Sequence, residues 1–120
     1  MLLDSNIIIY AAQPENVELR RFIAENATAV SALSYVEVLG YHRLAEMERQ
    51  ILSEFFRSAL VLPITQIVIE QAASLRQRRR MSVGDAIIAA TAVVHHLTLV
   101  TRNVEDFQRI HEITIFNPFE

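Results

Sequence analysis

The sequence predicts a single α/β domain in which an open, mostly parallel sheet is covered by helices on both faces. Three observations carry this reading. Five short apolar, β-rich runs are spread along the 120 residues. Helix-period patterns separate those runs, as in consecutive βαβ units. Only 2 glycines and 3 prolines punctuate the chain, so regular elements are joined by short loops. A length of 120 residues and an apolar share of 52% fit one domain, residues 1–120, with a proper core.

Taken in order, Leu2 to Asp4 reads as a buried strand and Asn6 to Ala12 as a helical turn. Pro14 to Glu25 is expected to be a helix opened by proline, whose fixed φ suits a first helical position. Ala27 to Ala32 is the second strand, followed by helices over Ser34 to Ala45 and Glu46 to Ala59. Ala59 to Thr65 is the third strand, closed by Pro63. Gln66 to Arg79 and Val83 to His96 are helices, and Leu97 to Thr101 and Glu112 to Phe116 the last two strands. There are no repeats, linkers or low-complexity segments. In such sheets a site lies beyond the carboxyl ends of the strands, near the switch point in strand order.

Composition narrows the function. The chain has no cysteine, which excludes disulfides, thiolate-bound zinc and iron–sulfur clusters and fits a reducing cytosol. Met1 to Tyr10 is apolar but carries Asp4 and Asn6 without a basic leader, so no signal peptide is expected. No apolar run is long enough to span a bilayer. The expected location is the cytoplasm. The net charge of −3 argues against a nucleic-acid binder until its distribution is considered. With Asp4, Glu37, Asp85 and Asp106 set aside as a metal site, −3 becomes +1 for the rest of the chain. All 11 basic residues are arginine, whose planar fork of donors suits phosphate.

Asp4 follows the apolar start of the chain, where a strand ends. A carboxylate there is costly unless paired or metal-bound, or it caps the next helix. Glu37 sits in SALSYVEVLGYH, where Ser34-x-x-Glu37 matches a capping box. Its apolar neighbours Tyr35, Val36, Val38 and Leu39 predict more burial than a cap needs. Asp85 follows Ser82 at capping distance and heads a helix apolar nearly all round, near a positive helix end that favours its charged form. Asn103, Glu105 and Asp106 follow Thr101 in a turn or short helix. Each acid alone has a capping or solvated reading. Together they form a set of carboxylates that repel unless a cation neutralises them. Oxygen ligands without thiolates select Mg²⁺ or Mn²⁺, which can activate water for in-line attack on a phosphodiester.

These segments resemble PIN-domain ribonucleases, specifically the VapC-type toxins of type II toxin–antitoxin systems. LLDSN, SALSYVE around Glu37, DAIIAATA, LVTRNVEDF and the closing TIFNPF occur in the family's order and cover nearly the whole chain. The resemblance implies a three-layer α/β/α fold with a five-stranded sheet in the order 3-2-1-4-5. It implies a Mg²⁺- or Mn²⁺-dependent endoribonuclease that works as a homodimer restrained by a VapB-type antitoxin, meeting DNA only through the antitoxin complex. Carried across by position, the metal-site acids are Asp4, Glu37, Asp85 and Asp106. Ser5, Asn6, Thr101 and Asn103 would orient ligands or water. Asn103 departs from relatives with Asp at that place, and Asp106, three residues on, is expected to supply the fourth carboxylate.

Arg76, Arg78, Arg79 and Arg80 form the densest basic run. They suit a solvated helix end, and they are also candidates for RNA phosphate contacts. His95 and His96 are expected to close a helix rather than share a metal. Tyr10, Tyr35 and Tyr41 read as core or interface residues. A phospho-acceptor receiver would need a lysine, and a P-loop enzyme its G-x-x-x-x-G-K; both are missing. The alternatives left are a degenerate PIN domain that only binds RNA or protein and a Mg²⁺ phosphatase acting on small substrates.

Overall fold

The computed structural model describes all 120 residues. The chain runs β1 (Leu2–Leu3), α1 (Ser5–Ala11), α2 (Val17–Glu25), β2 (Ala29–Ser31), α3 (Ala32–Leu39), α4 (Glu46–Ser58) and β3 (Leu60–Leu62). It continues through α5 (Gln66–Arg78), α6 (Val83–His95), β4 (Leu99–Val100), α7 (Val104–Phe107) and β5 (Ile115–Phe116). The five strands are all parallel, in the order β3-β2-β1-β4-β5. This is the expected order, reached without the antiparallel strand that a mostly parallel sheet would allow.

Strand alternation divides the core in two. Leu2 points into one layer, with Val68, Ala72 and Leu75 of α5, Ala86, Ile88 and Ala89 of α6, and Phe107. Leu3 points into the other, with Ile7 and Ile8 of α1, Leu19, Val38, Leu52 and Phe56. Helix α6 is buried along most of its length, as its alanine-rich sequence predicts, and packs closely on α5. The switch in strand order falls between β1 and β4. No helix is long and apolar enough to cross a membrane.

Several boundaries differ from expectation. Pro14 lies in a turn, and α2 begins only at Val17 after Asn16. Helix α3 starts at Ala32 and stops at Leu39, because Ser31 caps it through the Leu33 N–H at 3.1 Å and Gly40 closes it. The helix expected over Ser34 to Ala45 is therefore earlier and shorter. Ser34 is no cap; it lies buried inside the first turn of α3. Tyr35 and Tyr41 are exposed, and only Tyr10 is half-buried, edge-on to Phe119.

Candidate metal centre

The sheet delivers its functional groups at the carboxyl ends of β1 and β4. The Asp4 N–H donates to the Val100 carbonyl at 2.9 Å, which fixes the Asp4 backbone at the strand end. Asp4 is 6% exposed, and its carboxylate accepts three hydrogen bonds. Asp4 Oδ1 accepts from the Ser5 N–H at 2.8 Å, while Oδ2 accepts from Thr101 Oγ1 at 2.8 Å and Asn6 Nδ2 at 3.2 Å. Asp4 thus caps α1 from the end of β1. Thr101 in turn accepts the Asn103 N–H at 3.0 Å, tying the next loop to the same carboxylate.

Glu37 projects from the sixth position of α3, where Ser5 donates to its Oε1 at 2.7 Å. Ser5 Oγ also lies 2.9 Å from Ser34 Oγ. With its single proton committed to Glu37, Ser5 accepts from Ser34. Glu37 is exposed, against the expectation from its apolar neighbours, because Tyr35 and Val36 are exposed as well. Glu37 Oε2 approaches Gly84 so closely that a Cβ there would lie 3.1 Å from it. A glycine at the head of α6 therefore lets Glu37 stand beside Asp85.

Asp85 occupies the first turn of α6, whose N-cap Ser82 accepts the Asp85 N–H at 3.0 Å. Asp106 occupies α7, a single turn held in place by buried Phe107. Asp85 and Asp106 line one cleft of about 460 Å³ with Glu105, Ser82, Arg79, Arg80 and Arg109. Asn103 is exposed at the start of α7, with no capping bond from its side chain.

Electrostatics ties the acids together. Burial pushes the Asp4 carboxyl above the ordinary range; hydrogen bonds from Thr101 and Ser5 oppose the shift, and the charges of Asp85 and Glu37 add to it. Asp85 is raised by burial and then by Asp106, with Glu37 adding to the shift and Ser82 opposing it. No three of the side chains are gathered into the shell of one ion.

Two features fit a divalent cation. All the donors are oxygens, the set that hard cations prefer. The Asn6 Oδ1 is buried with no hydrogen-bond partner, beside the carboxylate to which its amide donates.

The arginine run is divided. Arg76 Nε donates to the Met81 carbonyl at 3.1 Å, Arg78 pairs with Glu112 at 2.6 Å, and Arg79 donates to the Arg109 carbonyl. Arg80 makes no hydrogen bond or ion pair and lines the cleft. Residues not foreseen at the site are Ser34, Gly84 and Arg109. Ser34 carries the same signal as a helix cap, so sequence alone assigns it there.

Comparison with known proteins agrees with this architecture. A PIN domain model matches residues 1–113. Ribonuclease VapC10 of Mycobacterium tuberculosis is 32% identical over 94% of this chain and 90% of its own length. Among solved structures, a toxin–antitoxin complex from Klebsiella pneumoniae shares 29% identity, with a TM-score of 0.80 over 99% of this chain and 98% of that one. The DNA-bound VapBC of Salmonella typhimurium, 22% identical, has the same fold, with a TM-score of 0.84 over 96% of this chain and 95% of that one. The parallel 3-2-1-4-5 sheet, the acids beyond β1 and β4 and these matches lead to one conclusion: this chain belongs to the PIN-domain family, in its VapC branch.

Proposed function

We propose that this chain is a divalent-metal-dependent endoribonuclease, the toxin of a VapBC-type pair. The observation that carries the reading is Asp4: a buried carboxylate at the end of β1 that accepts three hydrogen bonds and feels the charges of Asp85 and Glu37. Such an arrangement costs folding free energy, and a bound cation offsets that cost. Asp4, Glu37, Asp85 and Asp106 would hold Mg²⁺ or Mn²⁺, which when bound acidifies water and stabilises the charge of in-line phosphoryl displacement.

The chain's own residues do the positioning. Ser5 and Ser34 aim Glu37, while Thr101 and Asn6 fix the rotamer of Asp4. Ser5 donates to Glu37 and Thr101 to Asp4, so in this reading both hydroxyls serve to hold the acids. In this reading a water attacks the phosphorus, the bond to the 3′ oxygen breaks as that oxygen takes up a proton, and the products are a 5′-phosphate and a 3′-hydroxyl. The antitoxin partner is supported by the likeness to the Klebsiella toxin–antitoxin complex. An arginine from such a partner would pair with the acidic pocket. The chain acts as a homodimer in the cytoplasm, where RNA is found, and meets DNA only through the antitoxin.

RNA cleavage with Mn²⁺ and with EDTA tests the reading. Asp4→Asn and Asp85→Asn are expected to lower cleavage by about 100-fold or more while the fold persists, since each removes a ligand from the cation site. Asp106→Asn is expected to lower Mn²⁺ affinity, Glu105→Gln to change little, and Asn103→Ala to act less than Asp106→Asn. Full activity in EDTA would overturn the metal reading.

A further inference from the structure

Two arginines at the end of α5 reach the turn that follows α7. Arg78 Nη2 pairs with Glu112 Oε2 at 2.6 Å, and Arg79 donates through Nη1 to the Arg109 carbonyl. The partners lie 34 and 30 positions apart in sequence. Arg79 Nε is buried without a partner, so RNA cannot reach that atom from outside. Holding a guanidinium this way costs free energy. A side chain selected only to contact phosphate would keep its donors in solvent, as Arg80 does.

The two ends of these contacts carry the two acids of the cleft. On one side, the link from α5 to α6 is held by Arg76 on the Met81 carbonyl and leads to Asp85. On the other, Asp106 precedes Arg109 by three residues. Helix α7 has 4 residues, far too few to be stable alone. Phe107 and Ile110 anchor it in the core from one side. Apolar anchoring is non-directional; the Asn103 N–H on Thr101 fixes the start of the segment, and Arg78 and Arg79 supply the directional contacts from α5 to its far end.

We propose that Arg78 and Arg79 are positioning residues that hold the segment Arg109 to Glu112 against α5 and so set the gap between Asp85 and Asp106 into which the cation fits. This rests on the metal-site reading above. The arginines act through the acids and touch neither ion nor RNA.

Calorimetric titration of Mn²⁺ alone, without RNA, into the parent chain, Arg79→Ala, Arg79→Lys, Glu112→Gln and Asp85→Asn tests it. Arg79→Ala and Glu112→Gln are expected to weaken Mn²⁺ binding by about 10-fold or more, the scale on which ligand-orienting residues act. Arg79→Lys keeps a donor for the Arg109 carbonyl and recovers part of the loss. Amide exchange should quicken over residues 104 to 108 in Arg79→Ala and Glu112→Gln. Arg79→Lys, which keeps the charge at the cleft, should match the parent in RNA affinity without metal. If Arg79→Ala does not fold, Glu112→Gln, an exposed single-atom change, decides. Parent-like Mn²⁺ binding by the Arg79 and Glu112 variants, with binding abolished in Asp85→Asn, overturns the brace and leaves the metal site standing. Lost metal-free RNA affinity in Arg79→Ala with intact Mn²⁺ binding also overturns it, making Arg79 a phosphate contact. A parent chain that binds no Mn²⁺ overturns both readings.

Discussion

Asp85 is where the demands of folding and of function oppose each other. Its carboxyl is raised by burial and by the charges of Asp106 and Glu37. An acid whose pKa is higher folded than unfolded binds more protons in the folded state between those two values. Stability therefore falls as pH rises from about the ordinary aspartate value of 3.8 through the raised value, and stays lower above it. Asp4 acts in the same direction. Glu112, lowered by its hydrogen bond from Arg78, acts in the other, so the informative quantity is variant minus parent. In EDTA, Asp85→Asn is expected to stabilise the chain at neutral pH by about 0.2–0.5 kcal/mol, the scale of a solvent-screened like-charge pair. The gain should vanish at a pH low enough to protonate Asp85 in the parent. With Mn²⁺ the order should reverse, because only the parent gains the binding free energy of the ion. Urea unfolding at two pH values, with and without Mn²⁺, measures all of this. An Asp85→Asn variant less stable than the parent in EDTA at neutral pH would remove the repulsion argument.

Helix α6 shows how an element is fixed at both ends. Ser82 caps its start, and His96 closes it in the left-handed region at φ 54 and ψ 45. His96 is the only non-glycine residue with positive φ in the chain. An L side chain in that conformation costs about 1 kcal/mol relative to glycine. His96→Gly should therefore stabilise the chain by up to about 1 kcal/mol and leave Mn²⁺ binding unchanged, since Asp85 lies at the opposite end of the helix. Thermal unfolding checks this; a lowered midpoint would mean that the imidazole contributes more than the strain costs. The long elements were legible because their patterns have one physical cause, burial of one stripe or both faces. α5, α6 and the strand runs fall within a few residues of their expected places. Short-range choices were less legible. Pro14 fits a helix start and a turn equally well, and the chain takes the turn. Ser31 and Ser34 are both potential caps, and tertiary packing gives the cap to Ser31 and buries Ser34 under Ser5. The acids at the site were legible as motifs at fixed places. The arginine contacts were not, because no local pattern announces partners 30 and 34 residues away.

Across the whole molecule, an acidic protein has to hold a polyanion over its most acidic face. The net charge of −3 repels RNA at long range. The cleft beside Asp85 and Asp106 breaks that field locally, because Arg79, Arg80 and Arg109 share its lining with the acids. Arg79 is spent on the Arg109 carbonyl, and Arg76 and Arg78 on partners inside the chain. Arg80 is exposed and unpaired at the cleft. It is the guanidinium of the run whose donors can all turn to phosphate without breaking a contact the fold uses. Arg80→Ala is therefore expected to weaken metal-free RNA binding and to reduce the slope of log affinity against log salt by about 0.7, the increment for one phosphate contact on a single strand. Mn²⁺ affinity and unfolding midpoint should stay at parent values, because Arg80 braces nothing. Fluorescence titration of a short single-stranded RNA at several salt concentrations in EDTA reads the slope directly. An unchanged slope would return Arg80 to the solvent-facing end of α5 and move the RNA path to another face of the molecule. The opposite signatures of Arg79→Ala and Arg80→Ala, one in ion binding and one in salt dependence, then separate the two roles that adjacent arginines hold in this fold.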